Sequence, residues 1–232
     1  MPLPEIFIFG ASDHARVVID IVELEGRYRI VGLFDSFKPK GYRVGRYEVL
    51  GREEDLMEYS RKYGLCTGII GIGDNWTRRQ IAESLLADNP RLQFVTAVHP
   101  SSTLSREVVM EPGSIVMARC YVGLNTHIGE GAVVATNSIF EHDSVMGAYS
   151  TLGAGSTTGG HVSLGICTAV CLGVTLIHGI GVGDHTVIGA GSIVIDDIPD
   201  SVVAYGNPAR VVRRRDAPDT YLHMRSRRAI CA

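Results

Sequence analysis

The sequence predicts two architectures in series, an α/β Rossmann-like domain followed by an all-β parallel β-helix. Three observations carry this expectation. Apolar strands alternate with amphipathic helices through about the first hundred residues. From Leu104 to Val194 every sixth residue is apolar, with Thr158 the one exception among sixteen. Four positions after each of these from Ile128 onward stands a small or β-branched residue, from Ala132 and Ser138 through to Ser192 and Ile198. The divisions read from these patterns are residues 1–100, 101–199 and a closing segment with a basic tail, 200–232.

In the first division an apolar strand, Ile6 to Phe9, enters a turn at Gly10, and a helix follows whose apolar face is expected to hold Val17, Val18, Ile21 and Val22. A second strand ends at Phe34 and Asp35, about where an acidic residue meets a ribose hydroxyl in a Rossmann-like unit. Ile69 to Ile72, a "GDN" turn and another helix follow. "GASDHA" lacks two of the three glycines of GxGxxG, so NAD is not inferred.

The hexads read as short strands. The small residue, the next residue and the large one alternate in, out and in, and the remaining three residues form a corner. Glycine opens many corners, among them Gly123, Gly147, Gly153 and Gly165, which suits φ values costly for other residues. Regular corners between short strands make a prism-like parallel β-helix with coils about 4.8 Å apart.

One corner departs from the rest. Glu141, His142 and Asp143 fill it entirely with ionisable groups. It is either a charged turn facing water or a general base, because a neighbouring carboxylate orients an imidazole and favours its protonated form. No two of the eight histidines are five apart, so a three-histidine zinc enzyme is not expected. His178 lies in the same column as His142 and reads as a solvated corner residue, and His99 as structural.

Bulk properties exclude other classes. The chain has 232 residues, 45% hydrophobic and 20% charged, with net charge -3, which suggests neither nucleic acid nor an anionic membrane as partner. No apolar run approaches 18 residues and the start lacks a signal-peptide pattern, so a cytoplasmic location is expected. Five cysteines, Cys66, Cys120, Cys167, Cys171 and Cys231, contain no CxxC pair and argue against a disulfide framework.

Together the hexads, "EHD" and the closing "YGNPAR" resemble the left-handed β-helix acyltransferases, specifically the sialic acid O-acetyltransferase type that includes bacterial N-acetyltransferases of nucleotide-linked amino sugars. The resemblance covers residues 5 to about 212. It implies left-handedness, three hexads per coil, a homotrimer and acetyl-CoA as co-substrate, with no metal. It also implies that His142 takes the proton of the substrate amine while Asp143 raises its basicity. With three hexads per coil, position 160 stacks under 142, and the Gly160 N–H becomes a donor to the thioester oxygen. Thr151, Leu172 and Ala190 become coenzyme contacts, and Asn207, Pro208, Ala209 and Arg210 meet its adenine and phosphates. Ser12, Asp13, His14, Asp35, Ser36 and Gly73 become the nucleotide-sugar pocket. Asp13 stands where the family commonly has glycine, and Thr151 where a relative has histidine. The arginines Arg213, Arg214, Arg215, Arg225, Arg227 and Arg228 either pair with the coenzyme 3′-phosphate or pack on a neighbouring subunit. The implied function is N-acetylation of a nucleotide-linked amino sugar, with O-acetylation of a sugar or of serine and a non-catalytic scaffold as alternatives.

Overall fold

The structure is a computed structural model that describes residues 2–216, Asp219 and Tyr221. Arg225, Arg227, Arg228 and Cys231 lie outside the described residues, and the other four cysteines are free.

The N-terminal domain contains β1 (Glu5–Phe9), α1 (Asp13–Glu25), β2 (Arg29–Phe34), β3 (Arg43–Val44), β4 (Tyr47–Gly51), α2 (Leu56–Tyr63), β5 (Thr67–Ile70), α3 (Asn75–Asp88) and β6 (Gln93–Phe94). The sheet order is β3-β4-β2-β1-β5-β6, and only the β3/β4 pair is antiparallel. In β1, Ile6, Phe7, Ile8 and Phe9 are all fully buried, because a central parallel strand is covered on both faces and reads as a continuous apolar run.

The two faces of β1 have different partners. Ile6 and Ile8 join Val18 and Val22 of α1 and, beyond them, Ala97, Ile115 and Val133 of the β-helix. Phe7 and Phe9 pack with Phe34 and with Leu85 of α3. On α1 the buried positions are Ala15, Val18, Ile19, Ile21 and Val22, whereas Val17 is 41% exposed. The expectation for Val17 is thus corrected: it precedes Val18 by one residue and is rotated about 100° off the packed stripe.

The β-helix has three faces. Rungs on the first begin at Ala97–Val98 and Ile115–Val116, on the second at Thr103–Leu104 and Tyr121–Val122, and on the third at Val109–Met110 and His127–Ile128. Each rung pairs in parallel with the one 18 residues on, as Ile115 with Val133 and Tyr121 with Ile139. One coil therefore takes three hexads. The large inward residues, among them Val116, Val134, Phe140, Leu152, Val170 and Ile188, form one stacked core.

Many of the small inward residues are serines or threonines and are buried, and several of their hydroxyls serve the next coil. Ser156 Oγ donates to the Cys171 carbonyl at 2.8 Å and accepts from Val174 N at 3.1 Å. Such pairing lets a hydroxyl be buried without the 1–3 kcal/mol penalty of an unpaired group.

Corner glycines follow a different rule from the one the sequence suggests. Positive φ falls on the third corner position, held by Gly155 and Gly173 but also by Asn125 and Asp143. The opening glycines are required by coil stacking instead: a Cβ on Gly123 would lie 2.4 Å from His142 N, and one on Gly147 would lie 2.6 Å from the Gly165 carbonyl carbon. The last coil is closed by an antiparallel hairpin, Val202–Gly206 with Ala209–Arg214.

Candidate active site

Two features stand out, a charged corner and a cleft where the domains meet. At the corner between the second and third faces, His142 and Asp143 are exposed. Asp143 Oδ2 lies 2.8 Å from His142 Nδ1. An ionised carboxylate can only accept, so the proton of the neutral ring is on Nδ1 and Nε2 keeps its lone pair. Asn125, one coil earlier, donates from Nδ2 to Asp143 Oδ1 at 2.8 Å. The Asn125 bond and then the His142 bond hold the Asp143 carboxyl below its ordinary value, which keeps it ionised through the neutral range.

The free ring edge of His142 rests on Gly160. A Cβ at position 160 would lie 2.7 Å from His142 Nε2 and 2.5 Å from Cε1, so the ring takes this pose only over glycine. The Gly160 carbonyl accepts from Gly179 N at 2.9 Å, while its own N–H donates to no acceptor among the described residues. Thr158, the polar exception in the hexad series, accepts from the Glu141 N–H at 3.1 Å. It therefore supports the start of the charged turn from inside the core.

The cleft has a volume of about 450 Å³ and a mostly apolar wall. His14 and Gly73 enter from the N-terminal domain, and Thr151, Ala154, Leu172 and Ala190 from the β-helix. His14 Nε2 is withdrawn from solvent and has no partner among the described residues. Burial, and secondarily the Arg78 charge, push the ring down to about 4, so it is neutral near pH 7. The Thr151 hydroxyl donates to Asn75 Oδ1 at 2.6 Å, which commits its proton within the protein. Tyr221 closes one side, its hydroxyl 3.4 Å from the Gly73 carbonyl, and burial raises it to about 12.

Arg78 holds the two domains in this relation. Its guanidinium is 1% exposed and donates to the carbonyls of Gly131 at 2.8 Å, Gly73 at 2.9 Å and Tyr149 at 3.0 Å, and to Asn75 Oδ1 at 3.0 Å. A planar fork of five donors suits such a set of carbonyls.

The remaining expected residues distribute as follows. Ser12 and Asp13 line a separate cavity of about 510 Å³ together with Arg16, Lys38, Tyr42 and Arg43. Asp13 lies 4.0 Å from Arg16. The Asp35 carboxylate is buried and accepts from Ala11 N at 2.7 Å and from Phe37 N and Lys38 N at 2.8 Å. It braces the turns around that cavity from within. Ser36 bonds Glu53. Asn207 and Pro208 form the turn of the closing hairpin, and Ala209 and Arg210 open its second strand, with Arg210 Nη1 3.1 Å from Asp196 Oδ2. Thus the cleft joins His14 and Gly73, read as substrate contacts, with Thr151, Leu172 and Ala190, read as coenzyme contacts. Gly160 stays with His142 at a different corner.

Sequence reasoning missed Asn125, His161, Arg78 and Tyr221. The signal for the first two is the 18-residue coil, since 125, 143 and 161 share one corner position with φ of 55°, 55° and 58°.

The model of the PglD N-terminal domain matches residues 5–85. The solved structure of PerB from Caulobacter crescentus, in complex with CoA and GDP-perosamine, is 31% identical, with a TM-score of 0.85 over 91% of this chain and 99% of that one. The acetyltransferase domain of PglB from Neisseria gonorrhoeae, in complex with acetyl coenzyme A, is 25% identical, with a TM-score of 0.81 over 91% of this chain and 100% of that one. UDP-N-acetylbacillosamine N-acetyltransferase of Bacillus subtilis is 30% identical over 50% of this chain and 52% of its own length. Among curated sequence relatives the match is partial: it covers 52% of that N-acetyltransferase, 34% of serine acetyltransferase 3 of Arabidopsis thaliana and 24% of a putative acetyltransferase of Saccharomyces cerevisiae.

Proposed function

The chain belongs to the hexapeptide-repeat, left-handed β-helix acyltransferases of the sialic acid O-acetyltransferase type, and we propose on that premise that it acetylates the amino group of a nucleotide-linked amino sugar from acetyl-CoA. The observation that carries the chemistry is the contact between His142 Nδ1 and Asp143 Oδ2. With Nδ1–H held by Asp143 at 2.8 Å, Nε2 is free to accept a proton. As the amine attacks the thioester carbonyl, the N–C bond forms and the amine proton passes to Nε2. When the C–S bond breaks, the imidazolium returns that proton to the CoA sulfur, which balances the reaction without a covalent enzyme intermediate. The Gly160 N–H is the donor to the oxyanion, a role worth about 10²- to 10³-fold in rate.

Assignment of the ligands follows the two cavities. The apolar cleft with its small residues, Ala154 and Ala190, suits the pantetheine arm beside Leu172. The cavity with Arg16, Lys38 and Arg43 suits a pyrophosphate, with these cations offsetting Asp13. Backbone N–H groups at the start of α1 add to that site.

Assembly is part of the reading. The dyad sits at the corner of positions 142 and 160, whereas Ala154, Leu172 and Ala190 lie on another, so one subunit does not wrap both around one ligand. Leu124, Ile139 and Val145 flank the dyad as exposed apolar residues. A second copy of the chain covers such a surface, and the homotrimer is the assembly proposed, in the cytoplasm.

Thiol release from acetyl-CoA with an amino-sugar nucleotide and with its hydroxyl analogue tests the function. Turnover of the amine alone is expected. Preference for the hydroxyl compound would make it an O-acetyltransferase, and no release with any acceptor in a sugar-nucleotide panel would leave a scaffold.

A further inference from the structure

Among the described residues, His161 is the one imidazole beside the dyad that the reaction does not use. It lies one coil after Asp143 at the same corner position, which stacks the two residues about 4.8 Å apart along the axis. Its Nε2 is 3.8 Å from Asp143 Oδ2, the same oxygen that His142 Nδ1 approaches at 2.8 Å. The two imidazole rings meet edge to face, 5.4 Å between centroids and 85° between planes. One ligand atom from each of His142, Asp143 and His161 thus falls within 4.8 Å of the other two.

Those spacings place a ligand atom of all three residues within reach of one small ion. Ligands at 2.0–2.2 Å in a tetrahedron stand about 3.3 Å apart, the typical zinc geometry. Two imidazoles and a carboxylate form the donor set of many three-ligand zinc sites, leaving a fourth position for water. The Asn125 bond to Asp143 Oδ1 at 2.8 Å leaves Oδ2 for the ion and orients it, as outer partners of ligating carboxylates do. All three ligands are exposed on the single chain.

We propose that His142, Asp143 and His161 form a divalent transition-metal site of the zinc type, and that its occupancy silences the base. The second half rests on the reading of His142 as base. A metal on Nδ1 takes the lone pair at that atom, so the single proton of the neutral ring moves to Nε2. An Nε2–H donates and cannot accept the amine proton. The ion therefore inhibits by changing the tautomer, without blocking either cavity. The nature of the site makes the enzyme sensitive to free zinc, not dependent on it.

The test uses the full-length protein, Zn²⁺ in calorimetry and inhibition assays, and Co²⁺ as a visible-absorption probe. Wild type is expected to bind one ion per chain at this corner with the intense 500–650 nm bands of tetrahedral Co²⁺, and to lose activity in parallel, reversibly with a chelator. His161→Ala should keep its activity without metal. Removal of an outer-shell partner already lowers metal affinity about 10- to 100-fold, so loss of a ligand should raise the half-inhibitory Zn²⁺ concentration by at least about tenfold. Unchanged Zn²⁺ binding and inhibition in His161→Ala would overturn the site. Binding that is lost in His161→Ala but leaves wild-type turnover untouched would overturn the silencing. The base assignment is judged separately, by metal-free His142→Ala.

Discussion

At position 142 the neighbours fix the setting of the side chain: Asp143 lies 2.8 Å from His142 Nδ1 and is itself held by Asn125. The residue type and its neighbour Asp143 were legible in the sequence, because a turn of three ionisable groups is anomalous among small and apolar hexads. What supports the turn was less legible. Thr158 reads as a lapse in the apolar series until its hydroxyl is seen to accept from Glu141 N at 3.1 Å. Thr158→Val, nearly isosteric, leaves that N–H unpaired and should destabilise the protein by about 1–3 kcal/mol in urea unfolding. His14 offers a pH test of the cleft. Its ring falls from 6.5 to about 4 on folding, so the unfolded chain binds the proton first as pH drops. Stability is then complete above pH 6.5 and is lost progressively between 6.5 and 4. Between pH 7 and 5 the wild type should lose about 2 kcal/mol more than His14→Asn, which has no such group. Equal pH slopes in the two proteins would show that the imidazole is solvated.

For the elements, the repeat was legible because each inward side chain meets a core of its own making, with no help from distant segments. The coil length was not in the spacing itself but came from family likeness, and although it stacks 160 under 142, the column of Asn125, Asp143 and His161 carries no pattern of residue type that marks it. The opening glycines illustrate the same limit. Their presence was plain, but the reason for it, contact with the backbone one coil away, depends on stacking at 18 residues. Arg78 was invisible for a different cause: on α3 it reads as a solvated helix residue, and only the approach of the Gly131 and Tyr149 carbonyls buries it. Arg78→Leu leaves those carbonyls and Asn75 without their donor, and should cost roughly 3 kcal/mol or more. Calorimetry should then resolve separate melting of the N-terminal domain and the β-helix. A single transition at the wild-type temperature would exclude the clamp.

Over the whole molecule, the order of domains was legible and their meeting was not. Side-chain periodicity identifies each fold, while the cleft arises where α1 and α3 lie against the first face of the β-helix, a long-range contact with no local signal. Hence Thr151, Leu172 and Ala190 came from family likeness, and their union with His14 and Gly73 from the structure. The separation of dyad and cleft onto different corners is the basis of the proposed homotrimer. Light scattering at micromolar concentration should give three times the 25.1 kDa chain mass, and an active monomer would contradict the shared site. The central claim, that His142 is the base for acetyl transfer to an amino-sugar nucleotide, is tested most directly by kcat/KM for thiol release from about pH 5.5 to 9 in wild type and His142→Ala. The expected result is a loss of about 10²- to 10⁴-fold across that range with acetyl-CoA binding retained. Near-normal turnover in the alanine variant would contradict it and return the Glu141–Asp143 corner to an ordinary charged turn.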